Sequence, residues 1–63
     1  MALDNSVKAE ISSMLYTISE LAKRASSLGD QMHDLKDEVS ASELYQAEKA
    51  LQIAARRLNN AAR

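Results

Sequence analysis

The chain has 63 residues, of which 46% are hydrophobic and 27% charged, and its formal net charge is −1. This length permits one domain at most, which we expect to span residues 1–63, and its core is marginal unless another chain reinforces it. The absence of cysteine excludes a disulfide framework and a thiolate metal site, and the near-neutral charge gives no overall attraction to nucleic acid or to a membrane.

The composition predicts an all-α protein. Proline, tryptophan and phenylalanine are absent, glycine occurs once, and good helix formers such as alanine and leucine are abundant. The hydrophobic content is too high for a chain that stays disordered on its own. Apolar runs extend over only two or three residues, too few for a membrane span or a signal-peptide core. We therefore expect a cytoplasmic helical protein.

The first helix is predicted over about residues 5–39. Asp4, Asn5 and Ser6 can each act as its N-cap, and residues 1–3 are expected to fray. The helix carries an unbroken apolar stripe at alternating spacings of four and three residues, which is typical of a helix that packs lengthwise on another helix. The members of this stripe are Val7, Ile11, Met14, Ile18, Leu21, Ala25, Leu28, Met32, Leu35 and Val39, and Leu15 and Ala22 widen it by one column.

A second helix is predicted over about residues 41–62. Its apolar stripe alternates leucine with alanine, which lets two antiparallel helix backbones approach closely. The members of this second stripe are Leu44, Ala47, Leu51, Ala54, Leu58 and Ala61. It is out of phase with the first stripe, so the helix must break between them. Ser40 and Glu43 form a capping-box pattern, which places the turn at about residues 39–41.

Gly29 is an alternative position for the turn. The segment that precedes it resembles a helix end, and Asp30 could cap a following helix. Against this, the apolar stripe runs through Gly29 without a slip, and one glycine inside a helix costs only about 1 kcal/mol. Both breaks could also occur together, which would add a short third helix over residues 30–39. The sequence leaves these placements open.

The predicted fold is an antiparallel helical hairpin with coiled-coil-like packing that completes a bundle by oligomerisation or by binding a partner. A first helix reaching residue 39 would be longer than the second, so its N-terminal apolar side chains would project beyond it. We expect this surplus stripe to be the partner-binding surface, with two further side chains of the second helix as secondary contacts. The predicted partner-binding residues are Val7, Ile11, Met14, Leu15, Ile18, Tyr45 and Ile53.

Catalytic and metal chemistry find little support in the sequence. His33 and Asp37 share a helix face, but a metal site needs three or four ligands and this is the only histidine. Two or three thin helices enclose little concave volume, and no nucleophile–base pair can be named. We expect no enzyme activity, no cofactor, no bound metal and no small-molecule substrate.

Basic residues concentrate near the end of the second helix. A turn near residue 40 would bring Arg56 and Arg57 beside Lys23 and Arg24, forming a patch that could contact nucleic acid. The simpler interpretation is that bases favour the C-terminal half of a helix because of its dipole. No aromatic residues interleave with these bases, as they do in single-strand binders, so nucleic acid is the less favoured partner.

Two bacterial protein families are similar in style. The plasmid copy-number regulators of the Rop type stack alanine and leucine layers in a dimeric four-helix bundle and bind paired RNA loops; only the layer pattern matches here. The segment Tyr45-Gln46-Ala47-Glu48-Lys49-Ala50-Leu51 resembles the second helix of the small co-chaperones of the type III secretion needle, with a different gap between its aromatic–Gln pair and its Lys-Ala-Leu. This resemblance covers about twenty residues and implies a helical hairpin that keeps a polymerising subunit soluble.

The function expected from the sequence is therefore a non-enzymatic binding module of the chaperone or adaptor kind. It would cover an apolar helix of a partner, either another helical protein or a second copy of itself. The alternative is a Rop-like homodimer that binds nucleic acid through its bases. Steep salt dependence would distinguish the alternative, because phosphate contacts release counterions.

Overall fold

The computed structural model describes residues 4–63 and consists of two helices, α1 (Asn5–Asp34) and α2 (Glu38–Ala61). The helices contain 30 and 24 residues and pack against each other as a hairpin whose Cα atoms span 48 × 15 × 9 Å. No strand occurs within this part of the chain. The predicted all-α antiparallel hairpin is therefore confirmed, while the expected fraying of residues 1–3 lies outside the described residues.

Helix α1 begins at one of the three predicted caps. The Asp4 side chain accepts a 2.8 Å hydrogen bond from the backbone N–H of Val7. The Asp4 carbonyl also accepts the first intrahelical bond, from the N–H of Lys8 at 3.1 Å. A carboxylate in this position satisfies a free N–H group and interacts favourably with the positive end of the helix dipole.

The turn lies at residues 35–37, so the prediction of a turn at residues 39–41 is wrong by about four residues. Lys36 adopts a positive φ of 65°, and its N–H bonds to the His33 carbonyl at 3.0 Å. The N–H of Asp37 bonds to the Met32 carbonyl at 2.9 Å. This pair of hydrogen bonds is the Schellman motif, which closes a helix C-terminus through a residue in the left-handed conformation.

Asp37, rather than Ser40, caps α2. Its side chain accepts a 3.1 Å hydrogen bond from the N–H of Ser40, which lies in the first turn of the helix. The sequence contains two possible caps three residues apart, and the carboxylate is used. The Schellman motif and this cap together reverse the chain within three residues, so Val39 lies inside α2 and not at the end of α1.

Gly29 lies inside α1 and is buried, so the alternative turn at Gly29 and the short third helix are both wrong. A Cβ atom at this position would lie 2.6 Å from Cε1 and 2.9 Å from Cδ1 of Tyr45 on α2. These distances are too short for a methyl group. Glycine is therefore present because the two helices approach closely here, and not because the backbone turns.

The interface between the helices uses only part of the predicted apolar stripe. A series of buried and half-buried residues of α1 recurs at spacings of three and four residues. They are Ile11, Leu15, Ile18, Ala22, Ala25, Gly29 and Met32. Among residues 4–63, the buried apolar residues are Ile11, Ala22 and Ala41, and no large side chain is completely enclosed. The core of the hairpin is therefore thin.

Candidate functional site: an apolar face along the hairpin

A column of large apolar side chains remains exposed along α1. Its members recur every seven residues, so they lie one above another on a single side of the helix. They are Val7, Met14, Leu21, Leu28 and, just past the helix end, Leu35, with 39% to 70% of their surfaces accessible. Scattered exposed leucines are ordinary on protein surfaces, but a contiguous apolar surface marks an interaction site.

A polar groove lies on the side of the hairpin opposite the exposed column of α1. This open groove has a volume of about 580 Å³, and its walls include Ser19 and Lys23 of α1 and Glu48 and Gln52 of α2. Successive helix residues are rotated by about 100°. Leu21 is two residues from both Ser19 and Lys23, so it lies about 160° around α1 from each of them. The exposed column therefore faces away from the groove.

Helix α2 contributes a column of alanines to the same side as the exposed column of α1. Ala54 is two residues from Gln52 and is therefore also directed away from the groove. Ala47 and Ala61 lie one heptad before and after Ala54; they are exposed, while Ala54 is half-buried. The leucines that alternate with these alanines (Leu44, Leu51 and Leu58) are half-buried.

The contact between Gly29 and Tyr45 fixes the register of the two columns. Because the helices run in opposite directions, one step back along α1 corresponds to one step forward along α2. Leu28 therefore lies at about the height of Ala47. The same relation recurs one and two heptads further along, and produces three pairs, each with one large and one small residue: Leu28 with Ala47, Leu21 with Ala54, and Met14 with Ala61. These six residues are called the apolar face below.

Tyr45 of α2 links the two helices on the groove side of the hairpin. Its hydroxyl donates a 2.5 Å hydrogen bond to Oδ1 of Asp30. This bond to a carboxylate raises the pKa of Tyr45 to about 12, with further contributions from desolvation and from nearby negative charge. The predicted role of Tyr45 as a partner contact finds no support in this placement, because its ring packs on Gly29 and its hydroxyl is already bonded within the hairpin.

The other predicted partner-binding residues are divided between the core and the surface. Ile11 is buried at 9% exposure, so it belongs to the contact between the helices. Leu15 and Ile18 are half-buried in the same contact. Val7 and Met14 are exposed members of the α1 column, and Ile53 is exposed on α2 beside Lys49 and Arg56.

Leu21 and Leu28 were not predicted as partner contacts. Both belong to the stripe that the heptad spacing identifies, but the sequence does not show which half of a wide stripe faces the other helix. The sequence feature that distinguishes the two flanks of the stripe is the pair Leu15 and Ala22. This pair widens the stripe on one flank and shifts the contact with α2 away from Leu21 and Leu28. Small residues at Ala22 and Gly29 mark the side of close approach.

The four cations predicted to contact nucleic acid fall on two sides of the hairpin, with Lys23 and Arg56 on the groove side. Lys23 lines the polar groove and lies 3.6 Å from the carboxylate of Glu20. Arg56 lines a smaller depression on α2. Arg24 and Arg57 follow them in sequence and are therefore rotated by about 100°. The earlier turn also places Arg56 and Arg57 opposite about residues 17–18 of α1, rather than beside Lys23 and Arg24.

His33 lies in the last turn of α1 and Asp37 in the turn that follows, so the two residues do not share a helix face as predicted. The His33 Nδ1 atom lies 2.9 Å from the Glu38 carboxylate, which joins the end of α1 to the start of α2. The Asp37 carboxylate caps α2, and the hydrogen bond from the Ser40 backbone lowers its pKa. Within residues 4–63, no group of three or more histidine, cysteine or acidic side chains converges as a metal site would require.

We compared the chain with protein-family models, with curated proteins and with solved structures, and none of them matches it. The resemblances to needle co-chaperones and to Rop-type regulators therefore remain predictions. Neither α1 nor α2 is long and apolar enough to cross a membrane. The geometry of the apolar face is the strongest guide to function.

Proposed function

We propose that the protein is a non-enzymatic helix-binding module of the chaperone or adaptor kind, and that the apolar face is its binding surface. The observation that carries this proposal is the set of three pairs, in which large residues of α1 and alanines of α2 form one continuous strip. A neighbouring helix could lie lengthwise over the alanines of α2, beside the large side chains of α1. Such packing is typical of helices with apolar residues repeated every seven positions.

The energetics of the hairpin support the same proposal. A short chain buries a smaller fraction of its surface than a larger domain does, and its core must offset the conformational entropy of all ordered residues. Among residues 4–63, the buried apolar residues are one isoleucine and two alanines. Covering the exposed leucines would remove further apolar area from water, at about 25 cal/mol per Å². Association through this face would therefore stabilise the fold as well as form a complex.

The nucleic-acid alternative is not carried forward. Of its four cations only Lys23 and Arg56 share the groove side of the hairpin, and Lys23 is close to an acidic side chain. Binding to a phosphate backbone would be expected to use cations that share one surface.

A charge-insertion experiment tests the binding surface. The double variant Leu21→Asp/Leu28→Asp places two charges on the apolar face. The matched control Ser19→Asp/Ser26→Asp places the same charges at the same spacing on the groove side of the same helix. The probe is a synthetic amphipathic peptide of three heptads with leucine at the a and d positions, and solution mass is measured alongside peptide binding.

We expect the unmodified chain and the groove-side control either to associate with themselves or to bind the peptide, and the Leu21/Leu28 variant to do neither. Circular dichroism reports whether each variant remains helical. If the double variant is unfolded, the single variants Leu21→Ser and Leu28→Ser provide the same comparison with less disruption. Equal association of the face and groove variants would overturn the proposal, as would a helical native chain that binds neither itself nor the peptide.

A further inference from the structure

We propose that the occupant of the apolar face is a second copy of this chain, and that the two hairpins form a four-helix bundle in which α1 of each copy lies on α2 of the other. This inference rests on the proposed function, because it names the partner of the same surface. It commits to one arrangement of the two copies, with both turns at the same end of the bundle.

The shape of the face supports a second copy as its occupant. Each copy presents large side chains on α1 and alanines on α2, with the same seven-residue spacing and at matching heights. A two-fold axis parallel to the helices places the large column of one copy over the alanine column of the other. Leu21 then lies over Ala54 of the second copy, while Ala54 receives Leu21 in return. One surface is thus its own complement, as a closed two-fold interface requires.

The other two-fold arrangement packs less well. With an axis perpendicular to the helices, α1 would lie on α1 and α2 on α2. Leucines would then face leucines along one half of the interface, and alanines would face alanines along the other half. The first half would be overfilled and the second would leave gaps, although protein interiors are packed as densely as organic crystals. Large residues on small residues give even layers throughout.

The size of the hairpin is appropriate for such a dimer. The Cα atoms span 48 by 15 Å across its broad side, an area comparable with the roughly 800 Å² that each partner buries in a standard interface. In the bundle, every neighbouring pair of helices is antiparallel, so the helix dipoles alternate favourably. The exposed column of α1 becomes the central core, and the polar groove remains on the outside of each hairpin.

A single spin label at the turn tests both the partner and the arrangement. The chain contains no native cysteine, so the variant Lys36→Cys carries one label per copy. Sedimentation equilibrium gives the mass across a dilution series, and pulsed electron–electron resonance gives the distance between the two labels. We expect a mass of two chains and a label separation well below half of the 48 Å length of the hairpin.

Each of the other outcomes overturns a defined part of the proposal. A dimer whose labels are separated by about the length of the hairpin would overturn the large-on-small arrangement. A monomer at micromolar concentration that still binds the leucine heptad peptide would overturn self-association and leave the proposed function intact. A monomer that binds no peptide would overturn both.

A second pair of variants tests the layer between the copies without adding charge. Ala54→Leu places a large side chain where Leu21 of the other copy must fit, so we expect at least a tenfold increase in the dimer dissociation constant. Adding Leu21→Ala to the same chain restores one large and one small residue per pair and should recover most of this loss. A double variant that associates more weakly than Ala54→Leu alone would overturn the assigned layer.

Discussion

Gly29 of α1 and Tyr45 of α2 lie so close that a Cβ atom on the glycine would be 2.6 Å from Cε1 of the tyrosine ring. The tyrosine hydroxyl is held at the same time by Asp30, the residue after the glycine, at 2.5 Å. The ring cannot move away from α1 without breaking this bond. The pair therefore sets both the distance between the helices and their register, on which the three pairs of the apolar face depend.

Gly29→Ala should destabilise the hairpin by up to about 2 kcal/mol, measured by urea unfolding followed by circular dichroism. Alanine favours the helix by about 1 kcal/mol over glycine, but the added methyl group overlaps the ring, and overpacking typically costs 1–3 kcal/mol. Ser27→Ala, an exposed change in the same helix, should be slightly stabilising. In a Tyr45→Ala background the Gly29→Ala change should become favourable; destabilisation that persists there would show that the ring is not the cause.

Lys36→Gly should stabilise the hairpin by about 0.5–1 kcal/mol. Lys36 has a φ of 65°, and a residue with a Cβ atom in the left-handed region carries a cost of about 1–2 kcal/mol that glycine avoids. The greater freedom of glycine in the unfolded chain offsets part of this gain. The matched control is Gln31→Gly, which places glycine inside α1 and should cost about 1 kcal/mol. A lower urea midpoint for Lys36→Gly than for the native chain would contradict the assigned turn conformation.

The cap at Asp37 predicts a loss of stability in acid. The pKa of Asp37 in the folded chain is lowered from 3.8 by the hydrogen bond from Ser40. A lowered folded pKa means that the stabilisation is fully present above the unfolded pKa of about 3.9 and is lost as the pH falls through the folded value. Asp37→Asn keeps a capping oxygen without a titrating charge, so thermal melting should depend less on pH below 4. The same acid dependence in both proteins would rule out this role.

The hydroxyl of Tyr45 should titrate well above the usual tyrosine range. The acceptor at Asp30 raises its pKa from 10.0 to about 12, so the stabilisation from this bond is present below pH 10 and is lost as the pH rises through 12. Tyr16→Phe leaves Tyr45 as the only tyrosine, and absorbance at high pH then reports its ionisation. Asp30→Ala in this background should lower the titration midpoint toward 10. An unchanged midpoint would exclude the Asp30 carboxylate as the cause.

The heptad stripes predicted the two helices and the hairpin because periodic apolar positions must be covered by another helix. The turn was placed about four residues too late because Leu35 and Val39 continue the spacing of the stripe although both are exposed in the structure. The observed turn depends on Lys36 in the left-handed conformation, which lysine seldom adopts. No local sequence pattern predicts this conformation. The predicted cap of the second helix was Ser40, from its spacing to Glu43, whereas the structure uses Asp37.

The candidate site was predicted in part. Val7 and Met14 were expected at a surface and lie there, whereas Ile11 was expected at the surface and is buried. A stripe as wide as this one has two flanks, and the flank that becomes internal is decided by the closest backbone approach. That approach is at Ala22 and Gly29, where small side chains allow it. The rotation of α1 about its own axis relative to α2 is therefore set by tertiary packing, and the periodicity of a single helix does not predict it.

The matched register of the two columns makes this fold modular in length. Seven residues advance a helix by about 10.5 Å and return its side chains to nearly the same direction. Removing residues 15–21 from α1 together with residues 54–60 from α2 would delete one complete heptad layer of the hairpin. The turn, the apolar face, the groove side and the remaining pairs would stay in place. Removing two residues from one helix instead would rotate the rest of its column by about 160° away from its neighbour. Chains of this design can therefore change in length by complete heptad layers without losing the face.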